Sequence, residues 1–174
     1  MFARRQTAVA GLTALLVLGV GSIASAGQNS QTVSAHGIRL AIPSSWSRVR
    51  PAGDGPVVDP KTLLVVGTHG VTARASNCQI AAYRIPPLGA VVVVVGWTSL
   101  KYSGASGAKQ GRFPLSRLIR VRRPSFECFS GRGAVADLVL DGKAYQVNVM
   151  VGSCASARVV EQALAVGRSF ELAR

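Results

Sequence analysis

Hydrophobic and polar positions alternate with a period of two on both sides of Asp141-Gly142, from Ala134 to Leu140 and from Lys143 to Val151. Asp-Gly tolerates the positive φ of a two-residue type I′ turn, so these runs predict a β-hairpin. The loop length fixes the register: Leu140 opposes Lys143, Leu138 faces Tyr145, Ala136 faces Val147 and Ala134 faces Val149. Asp137 with Gln146 and Val135 with Asn148 fall on the other face, so one face is apolar and the other mixed. That is the pattern of an antiparallel sheet covered on one side. After Gly152 the period lengthens to about 3.6. Val160, Ala163, Leu164 and Gly167 form one stripe, with Arg158, Glu161, Gln162 and Arg168 turned away from it. Ser153 or Ser156 can cap this helix, Gly167 lies near its end, and Phe170 and Leu172 then alternate as a short closing strand.

Earlier in the chain, Ile38, Leu40 and Ile42 alternate with Arg39 and Ala41, which predicts a strand stopped by Pro43, with Trp46 plugging the core. Pro51 to Pro60 reads as a loop and Thr62 to Val66 as a short strand. Five consecutive valines, Val91 to Val95, favour a strand through β-branching, and the ten residues between Pro87 and Thr98 are too few to span a bilayer. A strand apolar on both faces belongs in the centre of a sheet with layers above and below. Residues 79–85 fit either a short helix or a strand. Thr98 to Arg112, rich in Gly and Ser, reads as a lid over a site or as a long connection. It is followed by Arg112, Arg117, Arg120, Arg122 and Arg123, which suit an edge element with exposed arginines. The fold class expected is α+β, an antiparallel β-sheet with the C-terminal helix packed on it.

The N-terminus carries a different pattern. Arg4 and Arg5, an apolar run from Leu12 to Val20 and Ala24-Ser25-Ala26 have the layout of an export signal cleaved between Ala26 and Gly27. The expected organisation is a signal peptide at 1–26, a disordered lead-in at 27–34 and a single domain at 35–174. Losing 26 of the 174 residues leaves 148, enough to bury about 70% of the unfolded surface. Without Arg4 and Arg5, 18 of the 20 basic residues remain against 7 acidic, a net charge of +11. An exported basic protein meets anionic wall polymers and lipid headgroups before it meets nucleic acid, which is not an expected partner.

Candidate chemistry is sparse. His36 and His69 have no ligand-like spacing to a cysteine or an acid, so neither a metal site nor a cofactor is expected. Ser106 and Lys109 fit S-x-x-K by spacing alone, and no second motif of that enzyme class accompanies them. The acids Asp54, Asp59, Asp137 and Asp141 sit in loops and at the hairpin, where nothing demands a perturbed pKa. No catalytic residue is assigned, and a hydrolase centred on Ser106 or a reduced cysteine is carried only as a third reading behind two binding ones. Two binding readings follow: an anion-binding surface formed by Arg112, Arg117, Arg120, Arg122 and Arg123, and a small-ligand or partner-protein cleft under the 98–112 loop near Trp97 and Tyr102. Three cysteines, Cys78, Cys128 and Cys154, allow three single pairings in an oxidising compartment. Loop-closure entropy, about 4 kcal/mol for Cys78 with Cys128 and a few tenths less for Cys128 with Cys154, does not separate two of them.

Several short segments resemble a group of small secreted proteins of high-GC bacteria: Asn77-Cys78, Pro86-Pro87-Leu88-Gly89-Ala90-Val91, Glu127-Cys128, Asp141 to Val147 and Gly152 to Leu172. That resemblance implies a disulfide between Cys78 and Cys128 and a lone Cys154. More distantly, the strand running into Pro43-Ser44-Ser45-Trp46 and the helix leading to Ser169-Phe170-Glu171-Leu172 are similar to the PsbP-like fold. This second resemblance implies an antiparallel sheet sandwiched by helices and an accessory or binding role, although fold alone does not confer function.

Overall fold

The structure, a computed structural model, describes residues 29–53, 59–76, 78–97, 119–120, 129 and 131–173, the pair 119–120 through its backbone alone. Its strands are β1 (Ser30–Ala35), β2 (Ile38–Pro43), β3 (Trp46–Arg48), β4 (Lys61–Thr68), β5 (Thr72–Ala73), β6 (Tyr83–Arg84), β7 (Ala90–Trp97), β8 (Ile119–Arg120), β9 (Arg132–Leu140), β10 (Lys143–Val151) and β11 (Glu171–Leu172). One helix, α1 (Ala157–Arg168), lies between β10 and β11. The strands make a six-stranded sheet in the order β3-β4-β7-β10-β9-β8, a three-stranded sheet β1-β2-β11 and the short pair β5-β6. All of the pairings are antiparallel. The chain is thus α+β, mostly antiparallel sheet with a C-terminal helix packed on it.

The β9–β10 hairpin has the register expected from its turn, with Leu140 opposite Lys143 and Ala134 opposite Val149, and it continues two pairs further to Arg132 opposite Val151. Asp141 and Gly142 have φ of 49° and 71°, as a type I′ turn requires. Between β4 and β10, the valine strand β7 is buried along its length, with Val91 to Val95 all at 0% exposure. Burial of each such side chain stabilises the fold by about 1.5–3 kcal/mol. Gly96 near the end of β7 leaves room for Leu63, whose Cδ1 would lie 2.6 Å from an added Cβ. Leu63 itself occupies the register shift between Thr62 and Leu64.

The sheet is covered on both faces. On one face, alternate residues of β4, β7, β9 and β10 pack against Ile38, Leu40 and Ile42 of β2, against Trp46, and against Ala163, Leu164 and Val166 of α1. On the other, Val65, Val91, Val93, Val95 and Met150 pack against Val49, Val71, Ile80 and Tyr83. Asn148 lies on this second face and is fully buried, so the mixed face of the hairpin does not meet solvent at its centre, contrary to the one-sided cover expected from its pattern. The reason is topological: β10 lies inside the sheet beside β7, and both faces there are roofed. Residues 79–85, left open between helix and strand, form a turn and then β6, paired with β5.

One boundary differs from expectation. The segment from Ser30, read as part of a disordered lead-in, is β1, closed onto β2 by a two-residue turn with φ of 50° at His36 and 76° at Gly37. Its side chains are mostly exposed, so the polar composition that suggested disorder belongs to an edge strand. Helix α1 is capped by Ser156, whose hydroxyl accepts from the Val159 N–H, and it runs past Gly167 to Arg168 with Ser169 as its C-cap. Cys78 is buried and held in a disulfide, whereas Cys154 is an exposed free thiol. A pairing of Cys128 with Cys154 is therefore not formed. Cys128 itself, like the expected signal peptide and cleavage point, falls outside the described residues.

Candidate functional site

The sequence placed its anion-binding candidates between residues 112 and 123. Arg112, Arg117, Arg122 and Arg123 lie outside the described residues, as do Tyr102, Ser106 and Lys109. Arg120 is in β8, the outermost strand of the six-stranded sheet, opposite Arg132 of β9. Arg132 is exposed and donates from Nη2 to the Ala155 carbonyl, 3.1 Å away. The edge position expected for this stretch is thus the position of its described pair. Trp97, offered as a wall of a loop-covered cleft, ends β7 opposite Ala144 and packs against the second core.

A cleft of about 940 Å³ lies elsewhere, where the two-residue turns of both hairpins come to the same end of the molecule. Hairpin geometry brings His36 and Gly37 from one turn and Asp141 from the other, while β11 and the last residue of α1 add Glu171 and Arg168. Leu138, Tyr145 and Phe170 line its apolar part. The rings of Tyr145 and Phe170 are tilted at 54° with centroids 5.4 Å apart, an arrangement favoured by the ring quadrupoles. At the rim Arg39 Nε donates to Glu171 Oε1 at 2.6 Å. This pair couples β2 to β11, which are neighbours in the small sheet. Lys143 forms no ion pair among the described residues.

Tyr145 is 7% exposed, and its hydroxyl makes no hydrogen bond within the described structure. Burial raises its pKa above the ordinary phenol value, and the neighbouring Asp141 charge adds to the shift. The phenol therefore stays protonated through the neutral range as a hydrogen-bond donor of a lining residue. The described lining residues combine an apolar floor with charges of both signs at the rim, a composition suited to recognition. Two further polar atoms, Trp46 Nε1 and Asn148 Oδ1, are buried without a hydrogen-bond partner, but neither residue lines the cleft. Among the described residues no group of three His, Cys, Asp or Glu side chains is placed to hold a metal ion, and no helix is long and apolar enough to cross a membrane.

From the sequence, His36 stands out only as a histidine without ligand-like spacing, and Tyr145 only as the cross-strand partner of Leu138. The signal available was the pair of dipeptides suited to positive φ, His36-Gly37 and Asp141-Gly142. It could not reveal that the two turns meet. Compared with known proteins, the chain matches no family model and no curated sequence.

Proposed function

We propose that the protein is exported and acts without catalysis at the cell envelope, as a binding or accessory domain that presents Arg112, Arg117, Arg120, Arg122 and Arg123 to anionic wall polymers or lipid headgroups. The observation that carries this reading is the position of Arg120 on the open edge of the large sheet, beside the exposed Arg132. Among the described residues no strand pairs with the far side of β8, and an edge of that kind suits a basic stretch that meets a polyanion. The net charge of +11 that remains without the export signal, 18 basic residues against 7 acidic, supports the same partner class. The export pattern at residues 1–26 and the PsbP-like resemblance complete the reading. So does the Cys78–Cys128 disulfide that the resemblance to small secreted proteins implies, with which a bonded Cys78 and a free Cys154 agree.

The test is co-sedimentation with isolated envelope fractions across a salt series, beside a variant with the five arginines changed to glutamine. Binding that weakens steeply with ionic strength and disappears in the variant is the expected result. Equal sedimentation of both proteins would sink this function.

A second reading is favoured by the unpartnered Tyr145 hydroxyl: a small-ligand domain using the cleft between the two hairpin turns. Binding there would depend weakly on salt, which separates it from the charge-driven surface.

A further inference from the structure

Among the described residues, the strands at the sheet edges are short or charged, with one exception. The edge strands β3, β8 and β11 are three, two and two residues long and carry Arg48, Arg120 and Glu171. The isolated pair β5-β6 has two residues in each strand. By contrast β1 is six residues long, Ser-Gln-Thr-Val-Ser-Ala, with no charge, no proline and no bulge against β2. Proteins usually blunt such edges with charges, prolines or brevity, because open N–H and C=O groups invite another strand.

The register shows which groups are open. A two-residue turn makes Ala35 and Ile38 a hydrogen-bonded pair, so Ala35, Val33 and Gln31 bond to β2, while Ser34, Thr32 and Ser30 direct their backbone groups outward. Ala41, opposite Thr32, confirms this phase. Both its N–H and its carbonyl turn away from β1 to the Ser169 hydroxyl, at 2.9 and 3.2 Å. Ser30, Thr32 and Ser34 are exposed, and their backbone groups meet no partner among the described residues.

We propose that the outer edge of β1 pairs with β1 of a second copy of this chain, Thr32 opposite Thr32 and Ser30 opposite Ser34, joining two three-stranded sheets into one across a two-fold axis. Antiparallel pairing of a strand with itself is closed and self-complementary, so it stops at a dimer. Charge selects the occupant. Two copies of the exported chain, with 18 basic against 7 acidic residues and a net charge of +11, repel at most approaches, but β1 is uncharged. The nearest cation on its sheet, Arg39 opposite Ser34, is already neutralised by Glu171. Six-residue strands bury little area, so the dimer is reversible and concentration-dependent. Salt strengthens it by screening the remaining repulsion, the opposite of its effect on polyanion binding.

Sedimentation velocity of the purified protein, over a concentration series at low and high salt, tests the proposal. The expected result is a shift from one chain's mass towards two, larger at high salt. Thr32→Pro removes an outward N–H, and Thr32→Lys places two cations face to face; each is expected to sediment as a monomer. An equimolar mixture of Thr32→Lys and Thr32→Glu is expected to regain the dimer, which a merely misfolded variant would not do. Circular dichroism checks that the variants are folded, and the charge-swap mixture decides the matter if Thr32→Pro is not. A wild type that stays monomeric throughout overturns the proposal. So does a Thr32→Lys protein that dimerises like the wild type, or a mixture that stays monomeric.

Discussion

The β1–β2 and β9–β10 hairpins are built on the same turn and meet opposite fates. Each closes through two residues of positive φ, 50° and 76° at His36-Gly37 and 49° and 71° at Asp141-Gly142. Each keeps an unbroken two-residue alternation beyond the turn. Yet β10 sits inside the large sheet with both faces roofed, while β1 is an outer strand with mostly exposed side chains. Turn chemistry settles that two strands pair and in which register. What lies beside and above them settles how much each residue contributes to stability.

The widest contrast between the hairpins is in their packing. Leu138 of β9 is 3% exposed within the main core, whereas Val33 of β1 is only partly buried against it. Leu138→Ala is expected to cost about 2–5 kcal/mol and Val33→Ala less than about 1 kcal/mol, measured by denaturant unfolding of both variants. Similar losses would show that the outer hairpin is as tightly held as the inner one. The turns should behave alike. Neither Gly37 nor Gly142 has an atom within 4 Å of an added Cβ, so alanine at either meets only the backbone penalty of positive φ, about 1–2 kcal/mol. A much larger loss at one turn would mean that the common geometry conceals different support.

A smaller effect should appear with pH at the inner hairpin alone. Folding raises the Tyr145 pKa above the ordinary 10.0, through burial first and Asp141 second. The phenol therefore ionises earlier in the unfolded chain than in the folded one. Its stabilising contribution is fully present below about pH 10 and is lost as pH rises through the folded value. Tyr145→Phe should flatten the alkaline limb of a stability-versus-pH curve while leaving the neutral region parallel. An unchanged alkaline slope would show that the phenol is not held in a desolvated setting.

The two hairpins also differ in how far they were legible. Asp-Gly between β-branched runs is a strong local signal, and the pairing of Leu138 with Tyr145 followed from counting residues. His36-Gly37 is the same signal in weaker form, because it is not among the Asn-Gly, Asp-Gly and Gly-Gly pairs that a type I′ turn prefers and the preceding Ser-Gln-Thr-Val-Ser has little apolar content. Polarity alone did not distinguish a solvated strand from a disordered lead-in. Asn148 misled in the other direction: its amide suggested a wet face, and only the cover supplied by Ile80, Tyr83 and their neighbours makes that face dry.

Local order was thus set by the sequence itself. It determined the strands around Asp141-Gly142, the central valine strand, the helix ending near Gly167, Trp46 in the core and the strong positive charge, because periodicity, turn propensity and composition act over a few residues. Tertiary structure alone decided that β1 is an open edge, that the second sheet face is roofed, and that two turns a hundred residues apart share one cleft with an unpartnered phenol. Those outcomes depend on which strands become neighbours across the fold, and that choice comes from the packing of whole faces, to which no short stretch of sequence refers.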